Sequence, residues 1–307
     1  MLRLLWSRLW QGCLVVAGVI AITFLLLRLA PGGPFDAERQ VPEHIRQAQM
    51  AAYGLDQPLH VQLGRYLWQF MSMDFPPSAR LPGRGVGEVI ADSFPVSAAI
   101  GLGALAIALG LGLPFGALAA LRQHSGLDRG VVVVSTVVLC LPSLVLGPLL
   151  AQWLGLRWRW FNAMGWEDAS DWFLPSLTLG LLYSASIARM SRAGFTEVLS
   201  QDFIRTARAK GLSSRAVVVR HALRLAIVPT LNLLGPAAAG LMTGSMVVET
   251  VFQVPGLGQH FVSAAINRNY ELAMATAGFY AVLIVAFNLL VDALCAILNP
   301  RIALEAS

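Results

Sequence analysis

Six apolar stretches of membrane-spanning length set the terms for this chain: residues 9–30, 96–121, 131–154, 172–188, 225–248 and 272–298. A helix needs about 20 mostly apolar residues to cross the hydrocarbon core of a bilayer. Glycines and prolines punctuate these runs (Gly110, Gly112 and Pro114; Pro142 and Pro148; Pro236) and would argue against soluble helices. In a membrane they are tolerated where neighbouring helices re-satisfy the backbone. Composition agrees: 13% of the 307 residues are charged and the mean hydropathy is +0.65, whereas a soluble domain carries about 25% charge. The pattern predicts an all-α integral membrane protein of six transmembrane helices.

The first run could be a cleaved leader, but its length and the lack of a small-residue cleavage site in "LRLAPGGPF" favour a retained span. Cys13, Cys140 and Cys295 all fall inside apolar runs without CxxC pairing, as small packing residues do. With the N-terminus inside, the cytoplasmic segments carry 13 Lys+Arg over 62 residues, against 8 over 105 on the other face. That asymmetry satisfies the positive-inside rule and predicts that both termini are cytoplasmic. Arg28, at the outer end of the first run, can snorkel to the interface.

The chain divides into a first span (1–30), a long outer segment (31–95), a core of five spans (96–300) and a tail (301–307). The outer segment has helix-like patterns at 42–53 and 59–73 and reads as a cap over the outer face. No solenoid repeat or low-complexity tract is present. Nor is there a P-loop: the only lysine, Lys210, lies between Ala209 and Gly211, not in G-x-x-x-x-G-K-[ST]. Without H-E-x-x-H, G-x-S-x-G or a Cys/His cluster, the sequence holds no equipment for catalysis or metal binding.

The charge gathers instead in "DFIRTARAKGLSSRAVVVRHALR", residues 202–224, inside the cytoplasmic segment 189–224. Ser200 or Asp202 can cap a helix over 203–210. Gly211 suits its stop, with Lys210 in the favourable last turn. Ser213 or Ser214 can then cap a second helix running toward Pro229. Small Ala207 and Ala209 would admit a close-packed surface, with Arg205, Arg208 and Lys210 offering charge. Composition alone fits a loop resting on anionic headgroups equally well. A single aromatic, Phe203, and the membrane tether count against nucleic acid.

This stretch resembles the EAA loop of permease subunits in binding-protein-dependent ABC importers, and more narrowly its peptide-importer version, R-T-A-R-A-K-G-L. Arg205 and Thr206 replace the general motif's opening Glu-Ala, while Ala207 and Gly211 match. The resemblance extends along the chain through "FLLLRLAPGGPFDAER", "YGLDQPLHVQLGRYL", "SIARMSRAGFTEVL", "GSMVVETVFQVPGLGQHFV" and "INRNYELA", and is greatest with the B-type permease of oligopeptide importers. It implies the type I importer permease fold, in a bacterial inner membrane. It also implies that Asp202, Arg205, Thr206, Ala207, Arg208, Lys210, Gly211 and Leu212 form a coupling helix seated in a cytoplasmic ATPase. Implied partners are a homologous C-type permease subunit, two ABC ATPases that bind ATP and Mg, and a periplasmic or surface peptide-binding protein. No cofactor is implied in this chain.

Three further features carry expectations. "FQVPGLGQ" places Pro255 and Gly256 at the centre of a type II turn with a second tight bend at Gly258, which the family reading puts near the external gate. Asn288 and Asp292 share one face of the last run. Asp292 reads as interhelical glue or an interfacial pair, with Arg301 nearby; in a rival class, a proton-coupled secondary carrier, it would be the relay. Scattered hydroxyl and amide groups (Ser97, Ser143, Thr178, Ser184, Asn232, Thr243, Ser245) could line a peptide path or simply join helices. A dipeptide importer and a membrane scaffold remain as other readings.

Overall fold

The computed structural model describes residues 2–29, 51, 54–75 and 83–298. Most of the pattern expected at 42–53, and the tail with Arg301, lie outside them. Every element of regular structure among the described residues is a helix: α1 (Leu2–Leu29), α2 (Leu59–Ser72), α3 (Val86–Leu121), α4 (Gly126–Cys140), α5 (Ser143–Leu150, extended by a π-helical Ala151–Arg157), α6 (Phe173–Leu199), α7 (Asp202–Ala209), α8 (Ser214–Ala216), a π-helical Val217–Ala222, α9 (Leu223–Ala226), α10 (Val228–Met242), α11 (Met246–Val251), α12 (Leu257–Ile266) and α13 (Tyr270–Leu298).

Among the described residues four helical stretches are long and apolar enough to cross a membrane: Trp6–Leu29, Val86–Leu121, Val228–Val251 and Tyr270–Ile297. A fifth is reached if α4 and α5 with its π-helical extension count as one span. Two expectations change here. The run 131–154 is not straight but bent by 101° between Cys140 and Ser143. Leu141 is extended there, with φ −83° and ψ 119°, as the residue before a proline prefers. The run 172–188 belongs to α6, which continues to Leu199 and is not among the apolar helices. Arg189, Arg192, Glu197 and several hydroxyl residues dilute it. Its polar groups are affordable because α6 is packed by other helices along most of its length.

The core sits between α3 and α6. Gly112 and Gly116 of α3 lie against Ile187 and the backbone of Ala188, where an added Cβ would collide. Small residues let the two axes approach closely, as is usual between membrane helices. Ser176 Oγ then donates to the Ile100 carbonyl at 2.8 Å and Ser191 Oγ to that of Leu113 at 3.3 Å. α10 and α13 pack beside this pair, with Asn288 seated against Gly235.

α2 is amphipathic, and it does more than cap the outer ends. Tyr66 joins Ile20, Phe24, Tyr270 and Met274 in one apolar cluster. One turn on, Phe70 occupies the space at Gly278, so α2 reaches down into the groove between α1 and α13. Lower on that pair, Arg8 bonds Asp292 at 3.2 Å. Asp292 is therefore an interhelical pair, with α1 supplying the cation.

Candidate functional site

The basic loop folds as a helix, a stop and a second helix. α7 begins at Asp202, after Gln201 in the N-cap position with no side-chain cap. Neither Ser200 nor Asp202 is the cap. Asp202 acts from the first turn, where its charge meets the helix dipole, and it bonds Arg205 at 3.3 Å. The stop is sharper than the start. The Leu212 N–H donates to the Ala207 carbonyl at 3.4 Å and the Gly211 N–H to that of Arg208 at 2.9 Å, with Gly211 at φ +80°. These are the two bonds of a Schellman motif with glycine at C′. The accompanying apolar contact is also present, because Ala207 and Leu212 share one cluster. Ser213 caps the next helix, accepting from the Ala216 N–H at 3.3 Å.

Two faces of α7 do different things. Ile204 and Ala207 are buried against Ala120 of α3, Phe195 and Val198 of α6, and Val217, Ala222 and Ala226 beyond the loop. Asp202, Phe203, Arg205, Thr206, Arg208, Ala209, Lys210 and Gly211 are exposed. Ala207 is thus unavailable to a partner: its small size seats α7 on its own chain. Leu212, half-buried, does likewise. The exposed face carries three cations and one acid. Beside it a polar cleft of about 500 Å³ runs between the C-terminal ends of α3 and α6, lined by Arg122, Gln123, Glu197, Ser200 and Arg208.

α6 is anchored just before it reaches the loop. Arg192 holds Asp128 at the start of α4 through both guanidinium and carboxylate, the Nη2–Oδ2 bond being 3.0 Å. Asp128 also accepts the His124 N–H at 3.0 Å. The partners are 64 residues apart, and neither was a sequence candidate. The weak signal was an acid and a base flanking runs that are otherwise apolar.

The turn over residues 252–259 departs from expectation. Gly256 has φ −91° and ψ 167°, so Pro255-Gly256 is not a type II turn, which needs a positive φ at its second central residue. Gly258 lies inside α12 and makes no second bend. These glycines are needed for space. Cβ atoms at Gly244, Gly256 and Gly258 would all press on the Glu249 carboxylate. Glu249 is 1% exposed, with Ser97 Oγ donating to Oε1 at 2.6 Å and the Gln259 N–H to Oε2 at 3.0 Å. Ser97 Oγ in turn accepts the Leu257 N–H at 2.8 Å. One carboxylate thus ties α3 to the turn between α11 and α12.

Ser97 is therefore an internal brace. Other hydroxyl and amide candidates also bond within the chain. Thr178 and Ser184 bond carbonyls of their own helix, Thr243 bonds Gly240, Ser245 caps α11, and Asn232 meets Cys295.

The model of the family described as binding-protein-dependent transport system inner membrane component matches residues 112–304. The chain belongs to that family. The oligopeptide transport system permease protein OppB of Haemophilus influenzae is 40% identical over 304 residues, covering 98% of this chain and 99% of that protein. OppB of Escherichia coli K12 gives the same figures. The dipeptide transport system permease protein DppB of Bacillus subtilis is 37% identical over 305 residues, covering 99% of each. The chain is thus a multi-pass permease subunit of the peptide ABC importer family, placed in the inner membrane. The matched region of this permease contains α7, the Asp128–Arg192 clasp and the glycine cradle of Glu249, while α1 and α2 lie before it.

Proposed function

We propose that this permease forms half of the pathway of an ATP-driven, binding-protein-dependent importer of oligopeptides, and that α7 is the handle by which cytoplasmic ATPases move it. The carrying observation is the construction of α7. It is one helix with a Schellman stop, an apolar face bolted to α3 and α6, and a cationic face free for contact. A loop resting on headgroups needs charge but not a rigid, buried anchor. In this reading Asp202, Arg205, Thr206, Arg208 and Lys210 meet the ATPase, while Ala207, Gly211 and Leu212 hold the helix in shape.

The rest of the assembly follows from the same reading. α6 and the bent α4–α5 pair supply the remaining two of six spans, and both termini face the cytoplasm. A homologous C-type permease completes the pathway. Two ABC ATPases bind ATP and Mg, and a periplasmic or surface peptide-binding protein delivers substrate near the turn of Pro255, Gly256 and Gly258. Alternating access is then a shift between inward- and outward-open populations set by nucleotide and ligand. Oligopeptide is preferred to dipeptide because the identity is 40% to the former permeases and 37% to the latter. Asp292, already paired with Arg8, is poorly placed as a proton relay.

Extraction of the tagged chain in mild detergent tests the reading. A stoichiometric P-loop ATPase and a second multi-span permease are expected to co-purify, and Arg208→Glu is expected to release the ATPase without affecting membrane insertion. A chain that purifies alone and transports in ATP-depleted vesicles, but not with an uncoupler, refutes it.

A further inference from the structure

Where α2 meets the ends of α1 and α13, the chain forms a partly open cavity of about 80 Å³. Gln62, Tyr66 and Glu271 line it and are only 9%, 6% and 8% exposed. Yet Gln62 Oε1, Tyr66 OH and Glu271 Oε2 have no hydrogen-bond partner. Buried polar side-chain atoms in native proteins are nearly always bonded to protein or ordered water, so three orphans in one cavity require an occupant.

The surroundings say which one. Gln62 Nε2 donates to the carbonyls of Leu55 and Gln57 at 3.1 and 2.6 Å, which leaves its oxygen as the spare atom. Arg28 makes no direct ion pair with Glu271: its guanidinium lies over the rings of Phe24 and Tyr270, at 5.4 and 5.5 Å from their centres. Arg65, also on the cavity wall, bonds Gln57 at 3.1 Å. Gln62 Oε1 can only accept, as does a carboxylate oxygen when ionised, so the occupant must bring donors. Two guanidinium groups against one carboxylate disfavour a metal ion or an ammonium group. Among the described residues there is also no cluster of acidic, His or Cys groups able to hold a metal. The volume suits two or three water molecules at about 30 Å³ each.

We propose that this cavity is a built hydration site, in which ordered water joins Gln62, Tyr66 and Glu271 and so fastens α2 to α1 and α13. Water donates to the amide and carboxylate oxygens and accepts from the Tyr66 hydroxyl, satisfying all three orphans together. It also gives Glu271 a screened route to the Arg28 charge. α2 is then held to the spans by apolar packing through Tyr66 and Phe70 and by exchangeable, water-carried bonds at its N-terminal end. The inference does not rest on the transport reading.

Radiolytic hydroxyl-radical labelling of the full chain in lipid nanodiscs tests it, because radicals form from bound water at the site. Tyr66 is expected to label several-fold faster than the likewise buried Phe252 (6% and 1% exposed), and Met274 several-fold faster than Met242 (6% and 4%). Gln62→Leu, which removes an acceptor and fills space, is expected to slow both sites while Phe252 stays unchanged. Labelling of Tyr66 and Met274 as slow as at Phe252 and Met242 in the wild-type chain means a dry cavity and overturns the proposal. So does protection that appears with sodium or potassium and vanishes in choline, which would mean a cation site. Should Gln62→Leu loosen the fold, seen as faster labelling at Phe252, the wild-type contrast alone decides.

Discussion

Substitution of Gly211 separates a shaped coupling helix from a merely basic loop. Gly211 ends α7 at φ +80°, and a Cβ built there meets nothing within 4 Å. The penalty for a side chain is therefore one of backbone conformation and not of space. An L residue in the left-handed region costs about 1–2 kcal/mol, a β-branched residue falls at or above the top of that range, and asparagine tolerates the region best. One to two kcal/mol is a factor of about 5–30 in a two-state ratio. Gly211→Val is thus expected to lower the ratio of stopped to unstopped α7 by that factor, and Gly211→Asn by much less. The assay is peptide uptake per ATP hydrolysed in a reconstituted importer, with insertion checked by size exclusion in detergent. Valine should waste ATP, while asparagine should stay close to wild type. Equal damage by both, or none by valine at normal assembly, refutes the argument, since the positive φ would then have no bearing on coupling.

Three other outcomes follow from single groups. Ser97→Ala leaves the buried Leu257 N–H without an acceptor and Glu249 Oε1 without its donor. At about 1–3 kcal/mol for an orphaned buried group, the apparent melting temperature in detergent should fall by several degrees, and an unchanged value would discount the brace. Asp128→Asn or Arg192→Gln should each impair uptake, and exchange of the two residues (Asp128→Arg with Arg192→Asp) should recover more than either reversal alone; additive losses would mean the clasp is incidental. Asp171 is buried, which alone would raise its pKa, but the N–H groups of Asp168 and Glu167 and the Asn162 amide hold it below the ordinary 3.8. Its stabilising contribution is therefore complete above that value and lost as pH falls through the lowered one. Asp171→Asn should flatten the acid limb of the melting profile below about pH 4, and an unaltered limb would remove the group from the account.

Local features were legible in the sequence and distant ones were not. The helix, the stop at Gly211 and the cap after it all depend on residues within a few positions of each other; the stop formed where the pattern placed it, and of the candidates Ser213 and Ser214 it is Ser213 that caps. The start of α7 did not, because Gln201 adopts the cap conformation with no side-chain bond to mark it. Inward and outward faces of so short a helix were undecidable too: Ala207 turned in and Ala209 out, set by the cluster around Phe195. The glycines show the limit best. Gly211 and Gly256 are the same letter in turn-like contexts, but one serves a positive φ and the other makes room for the carboxylate of Glu249. Only the partner seven residues earlier in the chain, folded back against it, tells them apart. Asp128 and Arg192, 64 positions apart, offered no local signal at all.

The two motifs that identify the family stand at opposite ends of one helix, and this gives α3 a mechanical meaning. Ala120, near its C-terminal end, lies in the cluster under α7. Ser97, eleven residues after its first residue, Val86, bonds Glu249 and the Leu257 N–H of the turn between α11 and α12. Twenty-three residues at about 1.5 Å each put roughly 35 Å between them along the axis, so a single helix joins the cluster under α7 to the turn around Glu249. α6 lies along it, interlocked through Gly112 and Gly116 and pinned by Arg192 to α4. In the proposed coupling, a push on α7 must then either move this paired unit as a body or bend α3. Of the two prolines inside α3, Pro95 lies before Ser97 and only Pro114 falls between Ser97 and Ala120; there a backbone donor is missing and the ring crowds the preceding turn. Rigid displacement shifts the turn around Glu249 directly, whereas bending at Pro114 would absorb the push before it reached Ser97. The close seating of Gly112 and Gly116, which bracket Pro114 against α6, favours the first: the proline sits where its neighbours on both sides are held.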